Sequence, residues 1–304
     1  MTVASNRWNR RPAREWLGSH ITLRLADGRV IAASRAARRL AARCVTRVGA
    51  ARGLLVFSVV DTHVHVVALG GRAQAGALAR LTESALRRVL LIPVPFESAR
   101  LVEIADPSHL ASAVRYVLRQ QGRHEAWHDE LYDGSSLPDL LGWRALDVDG
   151  AACTVRVRAE LPRLAGAELW ELVRAQGGVL DVRGSPPRLA RTQLADAAAG
   201  AFGLAHVGGS SLSAVRARAA AVHAAVTCGR GSLETAELLG MSRRAVQRVR
   251  QQPVEAATVT AVGWQLAVRA ALQLQRAADV PTSWPHAEPA QGSARPMARP
   301  SRLR

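Results

Sequence analysis

Two histidines at alternate positions, His63 and His65, begin an apolar run, Val66-Val67-Ala68-Leu69. They follow a second such run, Leu54 to Val60, across an Asp61-Thr62 turn. Both runs have strand character, and a strand has a side-chain period of two, so both imidazoles face the same side of a sheet. Paired imidazoles are ligands for a divalent metal. The segment from Asp106 to Gly122 holds the second group of reactive residues. Asp106 is a good cap, Pro107 suits a first helical position and Gly122 suits a far end, which predicts a helix of about four turns. Tyr116 and Gln120 stand four apart on it, placing a phenol and an amide one turn from each other on one helix face.

His63-Val64-His65, Tyr116 and Gln120 together resemble the active-site residues of the single-tyrosine transposases of the HUH superfamily, particularly the group associated with repetitive extragenic palindromes. The resemblance runs from about Ser19 to Arg144 and includes Gly134-Ser135-Ser136, similar to the family's Ser-Ser segment. Where many relatives carry asparagine one turn after the tyrosine, this chain has Gln120. The resemblance implies Tyr116 as nucleophile and His63, His65 and Gln120 as ligands of Mg2+ or Mn2+. The activity it implies is breaking and rejoining of single-stranded or hairpin DNA through a 5'-phosphotyrosine intermediate, by a monomer or a homodimer. Tyr132 is a reserve nucleophile, and His124 and His128, though spaced like ligands, are expected to be exposed or in contact with DNA.

The whole-chain charge points to the same class of partner. The net charge is +17, carried by 41 basic residues that are all arginine. The planar guanidinium suits phosphates and guanine edges. Cys44, Cys153 and Cys228 are odd in number and form no C-x-x-C pair, which argues against a disulfide or zinc framework. Neither a signal peptide nor a membrane span is legible, so the expectation is a globular cytoplasmic, nucleoid-associated protein.

The elements that must position these residues read as strand (His20 to Leu25), helix (Ser34 to about Val48), two strands, helix (about Gln74 to Leu91), strand (Ala99 to Ile104) and the Tyr116 helix. This order is the ferredoxin-like plan, so the expected class is α+β, an antiparallel sheet domain with a catalytic helix, followed by a mainly α-helical C-terminal DNA-binding region. Arginines 35, 38, 39, 43 and 47 are expected to form a solvated helix face. The expected divisions are a basic arm (1–17), the catalytic domain (18–144), a connecting module (145–209) with a strand at Thr154 to Arg158 and a helix at Gly166 to Gln176, a helical region (210–280) and a disordered basic tail (281–304).

Within the helical region, residues 232–250 have the spacing of a helix-turn-helix. Ala236 allows close crossing, Gly240 a tight turn, and Leu239, Met241, Val246 and Val249 fill the joint. The second helix offers Arg243, Arg244, Gln247, Arg248 and Arg250 to double-stranded DNA. Flanking helices are expected at about Leu212 to Val226 and Ala256 to Ala277. Two rival functions are a non-catalytic DNA-binding regulator derived from a transposase and a metal hydrolase of the amidohydrolase type. The latter would use Asp61-Thr62-His63-Val64-His65 at the end of a barrel strand.

Overall fold

A computed structural model describes residues 16–120, 131–145, 147–164, 166–175 and 191–279. The arm at 1–15, His124, His128, residues 176–190 of the connecting module and the tail at 281–304 lie outside the described residues.

The protein is α+β. Its first part runs β1 (Gly18–Arg24), α1 (Arg35–Gly49), β2 (Leu54–Val59), β3 (His63–Leu69), α2 (Arg72–Val89), β4 (Arg100–Ile104) and α3 (Pro107–Leu118). The four strands form one antiparallel sheet in the order β2-β3-β1-β4. Alternation along the strands sorts the side chains onto two faces. Ile21, Leu23, Phe57, Val64 and Val66 share a core with Ala41, Val45, Leu78 and Leu86 of α1 and α2. Val56, Val67 and Ile104 point the other way and pack with Leu110, Val114 and Val117 of α3. The tyrosine helix therefore lies on the face opposite α1 and α2.

Local signals set the helix starts. Ser34 Oγ accepts from Ala37 N at 3.1 Å, and Asp106 Oδ1 accepts from His109 N at 2.9 Å with Pro107 at the first position. Such caps contribute about 1 kcal/mol each. Helix α3 is shorter than expected. It ends at Leu118, where the Arg119 N–H turns back to the carbonyls of Arg115 and Tyr116, so Gln120 lies beyond the helix.

The remainder of the described chain is helical: α4 (Leu137–Leu141), α5 (Val148–Glu160), α6 (Gly166–Ala175), α7 (Arg191–Ala201), α8 (Leu212–Thr227), α9 (Ser232–Leu239), α10 (Arg243–Arg250) and α11 (Ala256–Asp279). The strand expected at Thr154 to Arg158 is instead the middle of α5. Asp147 caps that helix by accepting from Gly150 N at 2.9 Å. Of the two alternating valines, Val157 is buried and Val155 is 69% exposed, so the alternation marks no sheet face. Arg156 donates to the carbonyls of Leu54 and Ala50, and Arg158 to those of Leu140 and Leu164.

The arginine face of α1 is also not wholly solvated. Arg39 is 1% exposed, with Nε 3.1 Å from Asp133 and Nη1 2.7 Å from Asp196 of α7. Arg35 reaches the same two carboxylates, and Arg269 of α11 lies 3.0 Å from Asp196. Burial raises the Asp196 carboxyl, but Arg269, Arg39 and Arg35 outweigh it and hold the group well below the usual range. This network joins α1, the loop before α4, α7 and α11.

Candidate active site

The α3-facing side of the sheet changes character along its length. At one end Val67 and Ile104 lie under α3; at the other the residues are polar. Directly opposed residues of antiparallel strands share a face. The register pairs His65 with Ser58 of β2 and with Thr22 of β1, and pairs Thr22 in turn with Arg100 of β4. His63 is opposed by Arg24 and Val67 by His20. One face thus carries His20, Thr22, Arg24, Ser58, His63, His65 and Arg100.

Three imidazoles and the phenol meet there. The rings of His63 and His65 stand edge to face with centroids 4.6 Å apart. His20 stacks on His65 at 5.2 Å, and its Nε2 shares a 3.0 Å hydrogen bond with His65 Nδ1. The Tyr116 ring stands edge-on to His20 at 5.5 Å and to His65 at 5.7 Å. His65 is buried, whereas Tyr116 is 37% exposed, so the phenol closes the cluster on its solvent side. Thr62 Oγ1 lies 3.1 Å from His63 Nδ1. Burial, then the charges of Arg100 and His109, push the His20 imidazole down to about 4, leaving it neutral at neutral pH.

Of the residues singled out from sequence, His63, His65 and Tyr116 come together. Gln120 is buried, and its Nε2 donates to the Tyr116 carbonyl at 3.1 Å, folding the amide onto the end of the tyrosine helix. His20 escaped the sequence reading. A single histidine in an alternating strand carries no spacing signal; only the pairing of β1 with β3 puts it beside His65. Tyr132, the reserve nucleophile, is wholly buried with φ of 55°, which removes it from contact with a substrate in solution.

The donors suit a divalent ion in part. His63 and His65 are neighbouring imidazoles, and the bond from His20 to Nδ1 means that His65 would ligate through Nε2. Among the described residues no group of three or more His, Cys, Asp or Glu is arranged to hold a metal, and the Gln120 amide is turned to the Tyr116 carbonyl. A wholly neutral set leaves the charge of an ion unbalanced, which favours an anion such as a phosphodiester in the remaining positions.

The Ser-Ser segment extends the sheet edge. Val59 N donates to the Gly134 carbonyl at 2.9 Å, and Ser136 N to that of Phe57 at 3.1 Å. Buried Arg144 fastens the segment by donating to the Asp133 and Ser135 carbonyls and pairing with Asp139 at 2.9 Å. Burial pushes the Asp139 carboxyl up to about 6, against the pull of Arg144.

A second site stands apart from the first. Helices α9 and α10 meet through Gly240, whose φ of 63° is the left-handed conformation that favours glycine. Ala236 and Val246 are buried together with Val222, and Leu239, Met241 and Val249 pack around them. Ser242 Oγ caps α10 by accepting from Ala245 N at 3.1 Å. Arg243, Arg244, Gln247, Arg248 and Arg250 are all exposed, and Arg250 donates to Ser232 Oγ at 2.8 Å across the pair.

Among the described residues no helix is long and apolar enough to cross a membrane. No protein-family model, curated protein or solved structure matches the chain.

Proposed function

We propose that the protein is a metal-dependent enzyme of the HUH tyrosine transposase and endonuclease type, which breaks and rejoins single-stranded or hairpin DNA through a 5'-phosphotyrosine. The observation that carries this reading is the half-exposed Tyr116 ring 5.7 Å from the buried His65. The order of strands and helices, with β3 between β2 and β1 and β1 between β3 and β4, supports a ferredoxin-like fold.

In this mechanism the Tyr116 oxygen attacks the phosphorus of the scissile phosphodiester in line. Its proton is lost, the bond to the 3'-oxygen breaks, and that oxygen leaves as a 3'-hydroxyl after taking up a proton. Mg2+ or Mn2+ bound by His63, His65 and Gln120 would supply Lewis-acid polarisation of a phosphate oxygen. His20 holds the His65 ring in orientation, and α3 holds the phenol at the mouth. One phosphoester replaces another, so the 3'-hydroxyl can reverse the step without ATP. Incubation with single-stranded and hairpin oligonucleotides in Mn2+, followed by a denaturing gel, tests the reading: a protein-linked DNA band supports it, and none with any strand rejects it.

A second reading rests on the exposed arginines of α10. In it the helix-turn-helix binds double-stranded DNA and the chain acts as a regulator without turnover. Binding of duplex DNA with no adduct under any condition favours it. The amidohydrolase reading needs an eight-stranded parallel barrel, and the described residues form a four-stranded antiparallel sheet.

A further inference from the structure

The histidine face carries two arginines outside the set implied by the resemblance. Arg24 sits one strand from His63, directly opposed in the β1 and β3 register, about 5 Å away at the backbone. Arg100 lies in the same row as His65, with Thr22 between them, two strand spacings or roughly 10 Å along. The parity is secured from both sides: Ile21 and Leu23 of β1 and Leu101 of β4 belong to the opposite core, while Ile104 belongs to the core under α3. Arg24 and Arg100 therefore point to the histidine side, and both are exposed. His109 of α3 is exposed and stands two helical turns before Tyr116, on the same stripe of the helix.

We propose that Arg24 and Arg100 seat two successive backbone phosphates of a single DNA strand that runs across the sheet from β3 over β1 to β4, on one side of the scissile phosphate at His63, His65 and Tyr116. The spacing carries the proposal. Arg24 one strand spacing from His63 and Arg100 two spacings from His65, about 5 and 10 Å at the backbone and stepping away from β3 on one side, match successive phosphates of one strand rather than a single shared anion. Once the phosphodiester is cut the 5'-end is held by its bond to Tyr116, and the seated phosphates keep the 3'-hydroxyl end beside the phosphotyrosine for rejoining. The inference deepens the enzymatic reading and rests on it for the identity of the central phosphate, but the arginine seat has its own test.

The test uses the full chain with Arg243→Ala, Arg244→Ala and Arg248→Ala in every protein, so that the helix-turn-helix adds little, and with EDTA present so that no strand is cut. Binding of a fluorescein-labelled single-stranded oligonucleotide is followed by anisotropy over a salt series. Each phosphate contact contributes about 0.7 to the slope of log K against log salt for single strands, so Arg24→Gln with Arg100→Gln lowers the slope by about 1.4. The Arg24→Lys with Arg100→Lys protein, which keeps the charge, retains the slope. Replacing Arg87 and Arg88 of α2, on the other side of the sheet, by glutamine leaves it unchanged. An unaltered slope in the double glutamine protein with the parent circular dichroism spectrum overturns the proposal, as does an equal loss from the α2 pair or from the lysine protein. The slope change without any phosphotyrosine adduct would keep the strand seat and reject the enzymatic reading; an adduct without the slope change would do the reverse.

Discussion

His20 Nε2 and His65 Nδ1 lie 3.0 Å apart across β1 and β3, so the orientation of one strand's histidine is set by the other's. This bond gives the buried His65 ring a fixed face toward His63 and Tyr116. A ligating histidine is commonly held by such a partner on its second nitrogen, and losing the partner costs about 10- to 100-fold in metal affinity. His20→Ala is expected to weaken Mn2+ binding by that factor in calorimetry while leaving the fold intact, and His20→Gln to restore part of it. Equal affinities in all three proteins would show that His20 does not position His65.

The Arg39 network predicts a defined acid sensitivity. Arg39 and Asp133 are each 1% exposed, so Arg39→Met leaves buried Asp133 with only the 44% exposed Arg35 at 3.5 Å and is expected to cost about 3–5 kcal/mol in urea unfolding. The Asp196 carboxyl is held below its ordinary value, so its contribution to stability is present above about pH 4 and is lost as the pH falls further. Asp196→Asn should flatten the stability profile below about pH 4; a profile as steep as that of the parent would contradict the network's role.

For the helix-turn-helix, two substitutions separate shape from charge. Gly240→Ala places a side chain at φ of 63° and is expected to cost about 1 kcal/mol in stability. Arg248→Ala leaves stability unchanged and lowers the salt slope of duplex DNA binding by about 0.9. Duplex binding insensitive to Arg243, Arg244 and Arg248 substitutions would remove α10 from the DNA interface.

How much was legible in the sequence depended on whether a residue's role was local. The strands around His63, the cap at Asp106 and the joint at Gly240 follow from neighbours within a few residues, and each stands where the pattern puts it. Roles set by distant pairing were not legible. His20 matters because of register with a strand some forty-five residues on, Arg39 is buried by carboxylates from two other segments, and Tyr132 is buried by the core it enters. Val155 and Val157 misled because two alternating valines fit a strand as well as one turn of a helix with a single buried position.

The most direct test of the central claim is to locate the covalent bond. Full-length protein is incubated with a single-stranded or hairpin oligonucleotide in Mn2+, digested with nuclease and trypsin, and mapped by mass spectrometry. Trypsin cuts after Arg115 and Arg119, so the nucleophile falls within the short peptide Tyr116-Val117-Leu118-Arg119. The expected product is a 5'-linked nucleotide on that peptide, absent with EDTA and absent in Tyr116→Phe and His63→Ala. A nucleotide attached elsewhere, or an adduct that persists in Tyr116→Phe, would contradict it.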